Sequence, residues 1–344
     1  IANLRARVPP VMRQRLGAFA KIAVSAGLLI FLLSRLNRAE LISQVANAQP
    51  LWLALALVLY LAAILLGVLK WRLLVRVQRL DASFGDLAAY TFAGLFLGNV
   101  LPSNIGGDVV RAYALARAAN ETEAAITSVV VDRLMGLVAF FCAALVNMGL
   151  LVLLVTGGSQ LQAIEIATVV AASVFALGCA LLFSRRATRR LAFVFAIPFL
   201  ARFKPRAHRL YRAIQTFRSS YLTLVANVLF SAGVIVVATF VWYSVALALG
   251  LDIPLIYFFL FNPLIAFVLM LPISFNGLGP KEATAVFFFG LVGVPSESAF
   301  ALSLIFHAVV VLTSLPGGVL WWRERARVAP TRLSVPRADA AKLE

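Results

Sequence analysis

About six segments of the chain are apolar over a length that could cross a lipid bilayer as an α-helix. A bilayer core about 30 Å thick requires about 20 apolar helical residues. The predicted spans are Gly17–Arg35, Leu51–Leu69, Ala124–Val155, Ala163–Phe183, Thr223–Leu249 and Ala299–Trp322. The pattern therefore predicts an all-α polytopic membrane protein.

Two further apolar stretches are interrupted by proline and glycine. The first covers Leu87–Leu101 and Asp108–Arg117 with a break at 102–107, and the second covers Pro254–Leu271 and Lys281–Leu291 with a break at 272–280. A resumed arm of about ten helical residues covers only about 15 Å, or half of the membrane. Both stretches are therefore predicted to be re-entrant helical hairpins, which gives about eight spans if the hairpins are counted as helices.

Lys and Arg residues concentrate on one side of the predicted spans. They occur in the N-terminal segment, 70–86, 111–123, the basic loop 184–220 and the tail 324–344. The opposite side has only Arg35 and Arg38. By the positive-inside rule, both termini and the basic loop are predicted to be cytoplasmic, in a bacterial-type cytoplasmic membrane. In this orientation the first hairpin enters from the cytoplasm and the second from the outside.

The two hairpins also resemble each other in sequence. Each has an apolar helix, a Leu-Pro pair, a small polar linker, glycines, and an acid and a base that open the next helix. Residues 87–155 and 254–322 are therefore predicted to form an inverted repeat within one transmembrane domain, 1–344. Such repeats place a substrate near the bilayer midplane. The alternative is that proline and glycine only kink two ordinary helices.

Composition agrees with this interpretation: 62% of the residues are hydrophobic, 13% are charged and the formal net charge is +17. The basic residues lie between apolar runs rather than beside stacking aromatics on a polar surface, so no nucleic-acid partner is expected. The two cysteines and two histidines are too isolated to form a metal site. No nucleotide-binding or hydrolase motif occurs. We therefore predict no cofactor, no catalytic residue and no enzymatic activity.

The hairpin tips carry groups that suit a polar headgroup. Irregular backbone at membrane depth must line protein or a water-filled cavity, and glycines and helix N-termini offer backbone N–H groups to phosphate. The predicted substrate-binding residues are Asn99, Ser103, Asn104, Gly106, Gly107, Asp108, Arg111, Asp132, Arg133, Ser274, Asn276, Gly277, Gly279, Lys281 and Glu282, with His307 as a further candidate.

Ionisable side chains within the spans require partners, because a charge near the bilayer centre costs about 2.5–3.5 kcal/mol. Arg111 lies three residues after Asp108, which places both on one helical face. Asp132 and Arg133 are adjacent and project in different directions. Each of these two residues is therefore expected to pair with a side chain on another element.

Several motifs resemble one family of membrane proteins. They are Leu-Pro-Ser-Asn-Ile-Gly-Gly-Asp at 101–108, Val-Asp-Arg-Leu-Met-Gly-Leu at 131–137, Gly-Leu-Gly-Pro-Lys-Glu-Ala at 277–283 and Leu-Pro-Gly-Gly at 315–318. The chain resembles the lysylphosphatidylglycerol synthase transmembrane region, a flippase-like family, over most of its length. The resemblance implies translocation of an aminoacylated phospholipid. Residues 324–344 leave no room for a soluble synthase domain, so lysyl transfer itself is not expected.

Three functions are compatible with these observations. A lipid flippase predicts a cavity open to lipid, in which Arg111, Arg133 and Lys281 hold the headgroup while Asp108 and Glu282 position them. A membrane-embedded transferase or accessory subunit in lipid synthesis predicts convergent carboxylates, and an ion-coupled solute carrier predicts a closed midplane site. The lipid could be an anionic or aminoacylated phospholipid, a glycolipid or a hopanoid. A separate lipid-synthesis enzyme and a second copy of the chain, forming a homodimer, stay open as partners.

The charge bias generates a topology prediction that cysteine labelling can test. A cysteine introduced at Ser159 should react with an impermeant maleimide added outside the cell, because 156–162 contains no Lys or Arg and is placed on the outer side. A cysteine introduced in the basic loop should react only after the membrane is permeabilised. Labelling of Ser159→Cys from the cytoplasmic side alone would reverse the orientation.

Overall fold

The computed structural model describes residues 10–100, 106–154, 217–269 and 277–327, together with Val169, Val170, Ser173 and Leu177. The helices in these ranges are α1 (Pro10–Arg35), α2 (Arg38–Ala46), α3 (Pro50–Val77), α4 (Phe84–Val100), α5 (Gly106–Ala119), α6 (Thr122–Leu154), α7 (Tyr221–Ala248), α8 (Leu255–Leu269), α9 (Pro280–Gly290) and α10 (Ser296–Arg327). The described residues contain no strand. The prediction of an all-α protein is confirmed for this part of the chain.

Four helices are each long and apolar enough to cross a membrane, and they coincide with four of the predicted spans. They are Pro50–Val77, Thr122–Asn147, Tyr221–Ala248 and Ser296–Trp322. The predicted span Gly17–Arg35 belongs to α1, which is followed by α2 after a bend of 98°, and this bent pair meets the same criterion as a unit. The predicted span Ala163–Phe183 and the basic loop lie almost wholly outside the described residues.

Two helices extend beyond the predicted spans. Helix α3 continues to Val77, so the first part of 70–86 is helical rather than a loop. The reason is that the buried face of α3 does not stop at Leu69: Trp71 and Leu74 repeat its helical spacing and are fully buried. Helix α10 likewise extends to Arg327, into the segment predicted to be the tail.

Helices α4 and α5 pack against each other across the break of the first predicted hairpin. A Cβ atom added to Gly94 would lie 2.7 Å from the carbonyl oxygen of Gly107, so only glycine permits this approach of the two backbones. Gly94 and Gly107 would be separated by about 20 Å in a continuous helix. The chain therefore reverses direction between Val100 and Gly106.

In the second predicted hairpin, α8 and α9 pack against each other through aromatic rings. The ring of Phe261 in α8 stacks on Phe288 in α9 with centroids 5.4 Å apart, and Phe258 lies 5.1 Å from Phe289. The members of these pairs are 27 and 31 positions apart in the chain, so they can meet only if α9 folds back along α8. That both hairpins turn inside the membrane, in opposite orientations, stays a prediction.

Helix α6 contacts α3, α5, α7 and α8. One contact between α6 and α8 has a specific cause. Pro263 lies inside α8 and has no N–H to donate to the carbonyl of Phe259. The side-chain amide of Asn147 in α6 donates to that carbonyl at 2.5 Å. A polar side chain thus satisfies a backbone group that proline leaves open within an apolar bundle.

Helices α4 and α10 are in close backbone contact at the Pro-Gly-Gly segment of α10. A Cβ atom on Gly317 would overlap the carbonyl group of Phe92, and one on Gly318 would lie 2.9 Å from the ring of Phe96. The end of α4 is also tied to α10 by a hydrogen bond of 2.8 Å from the Asn99 amide to the Ser314 hydroxyl. The first hairpin is therefore packed against the last span through glycine.

Gly317→Ala should destabilise the protein, because the new methyl group forces α10 away from α4. Overpacking of this kind costs about 1–3 kcal/mol, which should lower the melting temperature of the purified protein in detergent. Gly67→Ala in α3 is a matched control, since a Cβ there meets no atom within 4 Å. Equal melting temperatures for the two variants would show that α4 and α10 are not in backbone contact.

Candidate functional site

Five charged side chains from α3, α5 and α6 meet within the bundle and form what we call the ionic cluster: Lys70, Asp108, Arg111, Asp132 and Arg133. Arg111 lies at its centre. One of its terminal nitrogens is 2.9 Å from the Asp108 carboxylate and 3.0 Å from that of Asp132. Lys70 lies 3.2 Å from the other oxygen of Asp132, and Arg133 forms an ion pair with Asp108. Each acid thus contacts two cations.

The fold explains why adjacent residues take different partners. Asp132 projects from α6 toward α3 and α5, where it meets Lys70 and Arg111. Arg133, about 100° further around the same helix, meets Asp108 at the start of α5. The expectation that both residues pair with other elements is confirmed. Asp108 also occupies the first turn of α5, where a carboxylate is favoured by the helix dipole.

Polar groups on neighbouring helices complete the buried part of the cluster. The amide of Asn227 in α7 donates to Asp132 at 3.2 Å and to the backbone carbonyl of Lys70 at 2.9 Å. The Lys70 ammonium donates to the hydroxyl of Ser231 at 3.2 Å. The Arg111 guanidinium lies 5.0 Å from the Trp71 ring centre, a distance suited to a cation–π interaction. The Asp132 carboxylate is therefore saturated by donors from three helices.

Lys70, Trp71, Asn227 and Ser231 were not predicted from the sequence to belong to the site. Lys70 was assigned to a loop because it follows an apolar run, although Trp71 and Leu74 beyond it continue the pattern of a helix. The signal that could have found it is a lysine inside an amphipathic continuation of a span. Asn227 and Ser231 are four residues apart in α7, so the sequence already places both polar side chains on one face of that helix.

The ionic cluster has an excess of positive charge and is open on one side. Three cations face two carboxylates, so the set carries a net charge of +1. Only 3% of the Asp132 side chain is exposed, whereas 38% of Arg133 is exposed. The Nε of Arg111 is buried and has no hydrogen-bond partner among the described residues. The arrangement can therefore accept an anion on the side of Arg133.

Lys281 and Glu282 form a second, separate ion pair at the start of α9. The Lys281 ammonium lies 3.4 Å from the Glu282 carboxylate and 5.7 Å from the centre of the Phe306 ring. Glu282 also accepts the backbone N–H of Gly279 at 2.6 Å and the Ser303 hydroxyl at 3.4 Å. Both members of the pair are buried, with 4% or less of either side chain exposed. This pair caps α9 and fastens it to α10.

The structure thus brings some of the predicted binding residues together and leaves others apart. Asp108, Arg111, Asp132 and Arg133 share the ionic cluster. No described contact links Lys281 to Arg111 or Arg133, because Lys281 is held by its own neighbour. Gly106 and Gly107 open α5, while Gly277 and Gly279 adopt positive φ in the turn before α9. Ser103, Asn104, Ser274 and Asn276 lie outside the described residues. His307 is half-buried on α10, one turn after Ser303.

The charge count of the ionic cluster generates a stability prediction. Asp132→Asn should destabilise the protein strongly, because it leaves three cations against one carboxylate, and breaking a buried pair costs about 3–5 kcal/mol. Adding Lys70→Met should recover part of that loss, since the double variant returns the set to a net charge of +1. Melting temperatures of the two single variants and the double variant measure the coupling. Strictly additive losses would mean that Lys70 and Asp132 do not interact.

Comparison with known proteins agrees with the motifs quoted above. The family described as the lysylphosphatidylglycerol synthase TM region matches residues 18–317. A UPF0104 membrane protein of Methanothermobacter thermautotrophicus is 25% identical over 296 residues, which cover 81% of this chain and 86% of that protein. A second UPF0104 membrane protein of the same organism is 22% identical over 291 residues, with 77% of this chain and 81% of that protein covered. A UPF0104 membrane protein of Methanocaldococcus jannaschii matches over 143 residues with 24% identity, which cover 41% of this chain and 42% of that protein.

The residues matched by the family include both predicted hairpins and all five residues of the ionic cluster. The apolar helices and this match together identify an integral membrane protein, and the chain belongs to the lysylphosphatidylglycerol synthase TM region family.

Proposed function

We propose that the protein is a lipid flippase-like transporter that moves a phospholipid or another lipid with a polar headgroup across the cytoplasmic membrane. The observation that carries the proposal is the ionic cluster, a set of paired charges with a surplus cation and one accessible side, built among membrane-spanning helices. A buried site of net positive charge is complementary to a phosphate group.

The energetics of the cluster favour an anionic ligand. A surplus charge near the bilayer centre costs about 2.5–3.5 kcal/mol, and a phosphate beside Arg133 would offset that cost. Arginine offers two parallel donors to phosphate oxygens and is suited to this contact. Phosphate binding at Arg133 would therefore compensate the positive charge of the cluster.

The proposed transport step concerns the headgroup and leaves the hydrocarbon chains in the bilayer. A charged headgroup cannot cross the membrane core alone, because its charge has to leave water. The cluster replaces water by fixed charges at membrane depth, so the protein shelters only the polar part of the lipid. Inverted hairpins would supply equivalent passages on the two sides of such a site.

The carboxylates do not favour the alternative of a membrane-embedded transferase. Asp108 and Asp132 both converge on Arg111, but each also contacts a second cation. A carboxylate that already accepts from two cations has few oxygen lone pairs left for a substrate or metal. The geometry of the cluster therefore suits the binding of an anion better than acid–base chemistry.

Arg133→Ala should reduce lipid translocation by about ten-fold or more, because a hydrogen bond to a charged group contributes about 1.5–3 kcal/mol. The measurement is the rate at which a fluorescent anionic phospholipid becomes accessible to dithionite in vesicles that contain the purified protein. Arg133→Lys should retain an intermediate rate, since an ammonium keeps the charge but loses the planar pair of donors.

Arg38→Ala is the matched control, because Arg38 is an exposed arginine at the start of α2 and should leave the rate unchanged. The melting temperature of each variant separates loss of function from loss of folding. A folded Arg133→Ala protein that translocates lipid at the native rate would place the headgroup site elsewhere.

A further inference from the structure

Helix α2 turns sharply away from α1 at one end of the bundle. The angle between the two helices is 98°, so α2 runs nearly perpendicular to the predicted span in α1. The side chain of Asn37 caps α2 by accepting the backbone N–H groups of Ala39 and Glu40. The nine residues of α2 cover about 14 Å. A short, separately capped helix in this direction does not continue α1 across the membrane.

Two hydrogen bonds place α2 level with the ends of membrane-spanning helices. The Gln44 amide donates to the Ser298 hydroxyl, in the first turn of α10, at 3.1 Å. Directly after α2, the Gln49 backbone N–H donates to the carbonyl of Ala248, the last residue of α7, at 2.8 Å. Helices α7 and α10 are both long and apolar enough to cross a membrane, so the end of α7 and the start of α10 mark the level of its surface. Helix α2 lies at that level.

One face of α2 contacts the protein, and the neighbouring face is apolar and exposed. Leu41 is 7% exposed and packs against Phe300 in α10. Ile42 and Val45 are three residues apart, which places them on one face, and they are 67% and 38% exposed. Leu41 is thus covered by the bundle, whereas the apolar row of Ile42 and Val45 points away from it.

The polar side chains of α2 point to a third side. Ser43 and Asn47 are four residues apart, which places them on one face, and both are exposed. Because successive residues of a helix are 100° apart, this polar row is directed about 150° away from the apolar row. The contact with α10 lies between the two rows. Helix α2 therefore has an apolar side and a polar side that are nearly opposite, with the protein beside both.

The apolar row of α2 continues the exposed apolar surface of the predicted span in α1. Ile30 and Phe31 of α1 are 67% and 54% exposed. Two cations lie at the bend: the guanidinium of Arg35 is 5.5 Å from the centre of the Phe31 ring, and Arg38 is the first residue of α2. Long basic side chains can reach lipid phosphates while their stems stay on apolar surface. Amphipathic helices with this distribution lie in the plane of the membrane surface.

We propose that α2 is an interfacial helix, with Ile42 and Val45 inserted at the boundary between lipid headgroups and acyl chains. The opposite face, with Ser43 and Asn47, is then in contact with water. The bonds from α2 to α10 hold the end of α1 at a fixed depth beside the bundle. A protein partner on the apolar row is not favoured, because lipid is as apolar as that row and no hydrophobic driving force brings a partner to it. The inference does not depend on the ligand of the ionic cluster.

The first experiment measures cysteine reactivity in the full chain, reconstituted in lipid nanodiscs after Cys142→Ala and Cys179→Ala. Ile42→Cys should react with a water-soluble maleimide about ten-fold more slowly than Ser43→Cys, because the membrane boundary disfavours the reactive thiolate. Ser43 is a matched control: it is adjacent to Ile42, and both residues are exposed on the protein itself. The protein alone would therefore not produce the difference.

The second experiment identifies what covers the slow position. Bimane attached to Ile42→Cys should be quenched about two-fold more than bimane on Ser43→Cys by a phospholipid with a nitroxide near the headgroup end of its acyl chain, because interfacial helices insert about 5–10 Å. Iodide in the water should quench the two positions in the reverse order. Val45→Cys and Asn47→Cys repeat the comparison one turn further along α2.

Three outcomes would overturn the proposal. Slow reaction of Ile42→Cys without quenching by the nitroxide lipid would mean that protein covers this face, such as 155–216 of the chain or a second copy. Equal and fast reaction of Ile42→Cys and Ser43→Cys would place both sides of α2 in water. Slow reaction and strong lipid quenching at both positions would make α2 part of a bent span. Melting temperatures equal to that of the cysteine-free protein establish that each variant is folded.

Discussion

The packing of α3, α5, α6 and α7 depends on the contacts of the Asp132 carboxylate. It projects from α6, accepts from Lys70 of α3 and Arg111 of α5, and is bonded by Asn227 of α7. Helices in a bilayer gain nothing from burying apolar surface against each other, since lipid is equally apolar. Four helices that share one charged group cannot separate without leaving charges unpaired in a medium that does not solvate them.

The lack of solvation in the bilayer also explains why protein groups satisfy the backbone donors and acceptors at helix interruptions. Wherever proline, glycine or a chain reversal interrupts a helix, a donor or acceptor has to be satisfied inside the protein. Asn147 bonds the carbonyl that Pro263 leaves open, and Glu282 bonds the N–H of Gly279. At Gly94 and Gly107 the backbones themselves approach, because neither residue has a side chain to separate them. The hairpin arms are thus fastened to the bundle by polar side chains and glycine.

The charged residues that follow the two predicted hairpins differ in their electrostatic surroundings. In the first half the ionic cluster has a net positive charge, and its most exposed member is Arg133 on α6. In the second half, Lys281 and Glu282 neutralise each other and are buried against α10. In the proposed function an anion reaches the charges of the first half at Arg133, while those of the second half act as a cap and a tether.

The sequence by itself determined the class of the protein, the places of four spans and the separation of α4 from α5 and of α8 from α9. It could do so because span length and helix-breaking residues are local properties of the chain. It also required partners for Asp132 and Arg133, since the cost of an unpaired charge in a membrane does not depend on the fold. Only the tertiary structure determines which residues are those partners. Lys70 joined the cluster and Lys281 did not, because an ion pair between helices depends on which faces pack together, and the periodicity of a single helix contains no information about its neighbours.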